Sequence, residues 1–302
     1  MHKFLRAVGF SEYTEKKQIQ QLVRDIILQA DNRSYSSRGE NGLLSEFDKD
    51  FADGIGVAVC GEFDGDDNYN FSYYYPYLKS DIISTSEDVN VERHTAKESY
   101  AGVCEDPKVG VSLIFYLQNM ISYLKIKDCG MDFLKGATTN LSALSCQGMI
   151  LMPIHKSEEQ KRQIKKETVK RSRLIQAARG GDEEAIESLT LDDMDKYTSI
   201  SKRIMNMDIY TLVDSYFMPY GVECDLYSML GEIIECRTVV NSFTKEEVCI
   251  MTVCCNDIHI QTCINKKDLL GEPKPGRRFK GSVWLQGYIN FPVEAGTEEQ
   301  HS

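Results

Sequence analysis

The sequence predicts an α+β protein: a mixed N-terminal domain (1–155), a helical connector (156–220), a C-terminal antiparallel β meander or small barrel (221–293) and a flexible tail (294–302). Three observations predict it. Helical spacing marks 15–29, and helix-capping residues punctuate the polar stretch from 156 onward. Alternation with a period of two marks 69–77 and recurs through the last third, most clearly over 279–291. With 42% hydrophobic residues, 16 Tyr and 12 Phe, the chain has enough apolar surface to pack rather than remain disordered.

The elements follow in order. Ile19, Leu22, Val23, Ile26 and Ile27 fall at helical spacing, which predicts a helix from Glu15 to about Gln29. The run 31–42, DNRSYSSRGENG, reads as a polar loop. Strands are expected at 55–60, 69–77, 109–117 and 137–152, with GDDN after Phe63 as a hairpin turn and a short helix at 119–126. Ser157 and Gln160 have capping-box spacing at the start of the connector. Gly180-Gly181 ends its first helix, and Asp182 caps a short second one. Thr190 and Asp193 cap a third, and Asp208 opens a last turn or two before Pro219. Further strands are expected at 231–241, 247–255, 258–265 and 279–291. Pairing Cys255 with Ile258 around Asn256-Asp257 sets Cys249, Met251, Val253 and Cys255 beside Ile258, Ile260, Thr262 and Ile264 on one core face.

Charge and patterning exclude several classes. A formal net charge of −11 repels phosphate backbones at long range, so nucleic acid is an improbable partner for the surface as a whole. The N-terminus MHKFLRAVGF has no apolar run of export-signal length, because Arg6 follows Phe4 and Leu5 at once. The most apolar window, 111–124, is interrupted by Gln118, Asn119 and Ser122 and falls short of the ~20 residues a spanning helix needs. Ten cysteines without a C-x-x-C pair read as reduced, mostly buried thiols. A cytoplasmic protein with no membrane contact is therefore expected.

Four segments carry a resemblance: MHKFLRAVGF at the start, GVSLIFYLQN at 110–119, YFMPYGVECDLYSMLGEI at 216–233, and GRRFKGSVWLQG at 276–287. Together they resemble the bacterial family known as domain of unknown function 3881, over nearly the whole chain. The resemblance implies a bacterial cytosolic protein. It brings no activity, cofactor or catalytic residue.

Candidate site residues come from the residues alone. Asp64, Asp66 and Asn68 alternate like calcium ligands, but an EF-hand needs Gly where Tyr69 stands and Glu where Tyr75 stands, so the loop reads as a polar turn. Cys254, His259 and Cys263 share one face of the expected hairpin. Three ligands without a fourth make a poor zinc site, so no metal or other cofactor is expected. Cys104 in GVCEDP is a candidate nucleophile in a loop, with His94 or His155 as base, although Glu105 and Asp106 disfavour its thiolate. Residues 156–173 hold eight Lys or Arg against three Glu and read as a solvated helix; 266–280 hold six against two acids. Phe71, Tyr73, Tyr75 and Tyr77 alternate along one strand, which favours packing, with a ligand-stacking face built on Tyr73 and Tyr75 as the sharper alternative. On 279–291, Lys280, Trp284 and Tyr288 fall on the face opposite the core and are the candidate interface, within the chain or with a partner.

No catalytic motif appears. The function expected is therefore non-enzymatic binding or assembly, with a protein partner or self-association through the C-terminal β domain. An enzyme with its site in the N-terminal domain is the second expectation, and a nucleic-acid adaptor the third.

Overall fold

The computed structural model describes residues 2–38, 42–93, 99–127, 134–154, 158–204 and 213–292. A 3₁₀ segment (Lys3–Val8) and helix α1 (Lys16–Leu28) lead into β1 (Asn32–Arg38), β2 (Gly42–Ala52), β3 (Ile55–Phe63) and β4 (Tyr69–Leu78). Next come β5 (Val89–Arg93), β6 (Tyr100–Glu105), β7 (Ser112–Leu117), helix α2 (Met120–Lys127) and β8 (Thr138–Leu151). Helices α3 (Glu158–Arg179) and α4 (Glu183–Ile204) precede β9 (Tyr216–Pro219), β10 (Leu226–Val240), β11 (Glu247–Cys255), β12 (Ile258–Asn265), β13 (Leu269–Leu270) and β14 (Arg278–Asn290). The protein is thus mixed α and β, with strands predominating. Among the described residues no helix is long and apolar enough to cross a membrane.

Strands β1 to β4 form one antiparallel sheet in chain order. The second sheet closes on itself. Its order β8-β12-β11-β10-β14 is completed by β14 pairing back onto β8 along its whole length, from Arg278↔Leu151 to Asn290↔Thr138. The result is a five-stranded barrel, to which β7, β6 and β5 are joined through a short parallel contact of β7 with β14. Closure removes the sheet edges that a meander would leave open.

Strand β10 makes the corner. Its first half pairs with β14 and its second half with β11, and a bulge at Ile234 separates Ile233↔Val253 from Glu235↔Thr252. Gly231 sits where these neighbours change, and a Cβ there would stand 2.4 Å from the Cys254 carbonyl oxygen. Only glycine admits so close a backbone approach.

Two cores result. The barrel interior holds Met229, Ile233, Cys249, Met251, Val253, Cys255, Ile258, Ile260, Ile264, Phe279, Val283 and Leu285. The hairpin register Cys255↔Ile258 and Cys249↔Ile264 is the one the sequence predicts. The second core lies against the barrel's outer wall. Leu144, Leu226, Val248, Ile250, Cys263 and Trp284 meet Phe4, Leu5, Val8 and Phe10 of the N-terminal segment, the inner side of α1, and the four-stranded sheet. Strands buried on both faces lose the polar alternation that ordinarily marks a solvated side.

Several expectations are corrected. Of the two forms expected for 221–293 the small barrel is the one present, but its fifth strand is β8, which lies before the expected boundary at 155. The stretch 156–220 is an insertion between two strands of one barrel rather than a connector, and it contains β9. Residues 31–42 include strand β1, whose polar composition suits an edge that keeps one side in water. Thr190 does not open a helix: α4 runs through it, and its hydroxyl donates to the Ile186 carbonyl at 2.8 Å. Gly181 does take the left-handed conformation (φ 88°), and Asp182 does cap α4 through the Ala185 amide at 3.1 Å. The expected cap at Ser157 and turn at Asp208 lie outside the described residues.

Candidate functional site

The residues that chemistry can use converge where the four-stranded sheet leans on the barrel. Registers align Ser34, Glu46, Cys60 and Tyr73 in one row across the sheet, with Asn32, Asp48, Ala58 and Tyr75 in the next and Asp50, Gly56 and Tyr77 in a third. Period two therefore puts Glu46, Asp48 and Asp50 on the same face as Tyr73, Tyr75 and Tyr77. Small residues on β3 let the tyrosines lie across it. A Cβ at Gly56 would stand 2.3 Å from the Tyr77 hydroxyl, which donates to Asp50 Oδ1 at 2.6 Å. Tyr75 reaches back to Glu46 Oε2 at 3.0 Å.

This face forms one wall of a cleft of about 260 Å³. The opposite wall comes from the β7–α2 turn (Gln118, Asn119, Ile121), β8 (Asn140) and the end of β14 (Tyr288, Asn290). Side-chain amides join the walls. Gln118 Nε2 donates to Gln286 Oε1 at 2.8 Å and to the Leu78 carbonyl at 3.0 Å. Gln286 donates to the Pro76 carbonyl, Asn140 to the Ser80 carbonyl and Asn290 to Asn140 Oδ1, each at 2.8 Å. These bonds tie β4 to β14 and β8, so the cleft is held open by buried, partnered groups rather than by loops.

Glu46 is the most perturbed carboxyl in it. The side chain is buried (6% exposed), and its Oε2 takes the hydrogen bonds from Tyr75 and, at 3.5 Å, from the Cys60 thiol. Burial, reinforced by the charge of Asp48, pushes its carboxyl up to about 8, against the pull of Tyr75, Cys60 and Lys79. Asp48 is also raised by burial, and accepts from Asn32 Nδ2 at 3.3 Å. Lys79 is committed elsewhere, with its ammonium 2.9 Å from Asp50 Oδ1. Perturbed carboxyls in a concave, polar-lined space are the usual mark of a site.

The residues singled out from the sequence are dispersed by comparison. Tyr75 lines the cleft, and Tyr73 packs beside it with its hydroxyl 3.3 Å from that of Tyr116. A bulge at Ser72 shifts the register, so Phe71 leaves the ladder for the opposite face. Lys280, Trp284 and Tyr288 do share the outer face of β14, but four residues of strand span about 13 Å, so they occupy three environments. Lys280 borders a groove of about 410 Å³ with Lys267 and Asp268. Trp284 is interior (6% exposed), stacked on Phe4 at 5.6 Å and bonded through its indole nitrogen to Asp225 at 2.7 Å. Its interface is therefore within the chain. Tyr288, 42% exposed, stands at the cleft.

Cys104 is not in a loop. It lies on β6, where alternation with Tyr100 and Gly102 turns it into the core, and burial pushes its thiol up to about 11. That state opposes a nucleophile. His94 and His155 lie outside the described residues. Cys254 does face His259, but Cys263 pairs with Ile250 and is buried in the second core. No group of three potential metal ligands is found among the described residues. The Asp64 loop is a hairpin turn whose carboxylate accepts the Asp66 and Asn68 amides at 3.0 and 2.9 Å. The basic run 266–280 is neutralised within the fold: Lys266 pairs with Glu247, Lys267 with Glu246 and Lys274 with Glu272.

Sequence reasoning missed Glu46, Asp48 and the amide wall. The available signal was Glu46, Asp48 and Asp50 at a spacing of two, interleaved with Phe47, Lys49 and Phe51, which marks an acidic strand face.

The family model described as "Domain of unknown function, E. rectale Gene description (DUF3881)" matches residues 5–287. The chain belongs to this family. The match spans both sheets of the DUF3881 fold and every described residue of the cleft except Tyr288 and Asn290. Neither the curated proteins nor the solved structures compared with the chain give a match.

Thiol labelling tests the placement of the side chains. Cys224, which is exposed, is expected to react first, while Cys60, Cys104, Cys249, Cys255 and Cys263 are spared in native protein. Rapid modification of Cys255 would overturn the assignment of the barrel interior.

Proposed function

We propose that this DUF3881 protein is a bacterial cytosolic binding protein whose ligand, a small polar molecule, sits in the cleft between the four-stranded sheet and the barrel. The observation that carries the reading is a cavity of about 260 Å³ walled by paired amides and tyrosines around a nine-tenths buried carboxyl. Burying Glu46 and Asp48 opposes folding unless something uses them. An enzyme is the second reading. A carboxyl raised to about 8 beside a second acid is the arrangement general acid–base catalysis uses. Self-association through the C-terminal strands, as expected from the sequence, would use β9, which among the described residues pairs only with β10 and carries exposed Met218 beside exposed Tyr220 and Val222.

The test is ligand titration of the full chain with a panel of small polyols, sugars and amines, followed by amide chemical shifts. Perturbations should map to Glu46, Gln118 and Asn140. Tyr288→Ala should weaken binding about tenfold, or ~1.4 kcal/mol, with little loss of stability because the ring is largely at the surface. Perturbations confined to another surface would refute the reading. Ligand recovered chemically altered would favour the enzyme.

A further inference from the structure

The charges in the cleft are unbalanced. Glu46 and Asp48 line it on one strand face, and neither is ion-paired among the described residues. Nearby carboxylates on the same sheet are: Asp50 with Lys79 at 2.9 Å and Asp31 with Lys49 at 3.7 Å. Lys79 is the only cation among the described lining residues, and Asp50 already holds it. A phosphate or carboxylate ligand would thus face two acids and no available positive charge.

The hydrogen bonds around Glu46 favour its protonated form. The Tyr75 hydroxyl lies 3.0 Å from Glu46 Oε2 and 3.2 Å from the Gln118 carbonyl oxygen. It has one proton for two acceptors. A protonated Glu46 resolves the conflict by donating to Tyr75 while Tyr75 donates to Gln118. An ionised Glu46 takes the tyrosine proton and leaves the Gln118 carbonyl without it.

The groups facing Glu46 leave it as the one that changes charge. Tyr75 and Tyr73 on β4, Cys60 on β3 and Tyr116 on β7 are all pushed well above their usual range by burial and stay neutral. Asp48 on β2 and Lys79 after β4 are the charges acting on it. The rings of Tyr75 and, on the opposite side, Tyr288 line the same space and are of the kind that attracts a cation, while the Tyr77 ring already carries the Lys79 ammonium 4.8 Å from its centroid.

We infer that the ligand is a small organic ammonium ion, that Glu46 and Asp48 meet its charge, and that its entry releases the Glu46 proton to solvent. The inference rests on the cleft being a binding site and names the class of molecule it takes. A neutral polyol needs no such release, and an anion would meet the charge of Asp48 while Lys79, the one lining cation among the described residues, is held by Asp50.

The probe is choline, whose charge is fixed at every pH, with 3,3-dimethylbutan-1-ol as its uncharged counterpart and myo-inositol as a neutral polyol. Calorimetric titrations of the full chain run from pH 6 to 9, with the far-UV spectrum recorded at each pH to confirm the fold. The choline association constant is expected to rise about tenfold per pH unit up to about 8 and then level. Below that point one proton should be released per choline, read by repeating the titration in buffers of different ionisation enthalpy. Glu46→Gln should flatten the profile and lower affinity at pH 9 at least tenfold, whereas Asp48→Asn should lower affinity and keep the slope. The uncharged counterpart should bind at least a hundredfold more weakly. Equal binding of choline and its counterpart, a flat profile in the unmodified chain, or no choline binding at 10 mM and pH 9 would each overturn the inference. Binding of myo-inositol with a flat profile would overturn it too, yet leave the cleft standing as a site for neutral ligands.

Discussion

Trp284→Ala is expected to lower stability by about 3–5 kcal/mol, the usual cost of deleting a large buried aromatic. The ring is part of the joint between the barrel wall and the N-terminal segment. It stacks on Phe4, lies 4.7 Å from the His2 ring and 5.3 Å from Tyr116, and bonds to Asp225. Its removal opens a cavity between β14 and the N-terminal segment and leaves Asp225 without that donor. In a chain of this size the melting temperature should fall by roughly 10 °C. The wild-type protein checks the same placement, because Trp284 is its only tryptophan. Its emission should be blue-shifted and insensitive to iodide in the native state, and should redden on denaturation. A red-shifted, quenchable native emission would show that the N-terminal segment does not seat on β14.

Glu46→Gln is expected to stabilise the protein at alkaline pH. The folded carboxyl titrates at about 8, above its ordinary value of 4.5. Between those values the folded state holds a proton that the unfolded state has already lost, so stability falls as pH rises, by about 1.4 kcal/mol per unit. By pH 8 the accumulated loss is on the order of 4–5 kcal/mol, and above pH 8 it stays constant. Glutamine keeps an acceptor for Tyr75 and Cys60 and carries no charge to bury. The variant should match wild type near pH 4 and exceed it progressively up to pH 8. Urea midpoints of both proteins at pH 5 to 9 measure the difference. A variant less stable than wild type at every pH would mean that Glu46 is ionised in the fold and already compensated.

These two residues show how unevenly the sequence can be read. The alternation of 279–291 assigns Trp284 to the side of β14 away from Phe279, Val283 and Leu285, and the structure keeps it there. Alternation cannot say what lies on that side. The N-terminal segment arrives from some 280 residues away in sequence and turns an apparently exposed face into a second core. The 247–265 hairpin was legible to its register because a two-residue turn at Asn256-Asp257, both in left-handed conformation, leaves its strands little choice. For Glu46 the alternation marks an acidic strand face and says nothing of its burial. Its strand pairs with the polar β1, and a carboxyl on a strand edged by such residues reads as solvent-facing. The hydrogen-bond partners of Glu46, Tyr75 of β4 and Cys60 of β3, belong to other strands.

What the sequence determined by itself is local: helix α1, the turn after α3, the two faces of β11, β12 and β14, and the family to which the chain belongs. Each of the structural elements follows from a period, a cap or a turn within about 20 residues, whereas the family follows from segments spread along the chain. What only the tertiary structure decided is which strands close the barrel, that β8 belongs to it, and that a cleft exists. Those depend on contacts such as β14 with β8, whose partners are between 127 and 152 positions apart. Strand pairing between distant segments is selected by the total surface buried once both are in place, and no periodicity within either strand records its partner. The same holds for the candidate site, where Glu46 acquires its unusual protonation chiefly from burial among residues of other strands, Tyr75 and Cys60 among them, with Asp48 of its own strand adding to it.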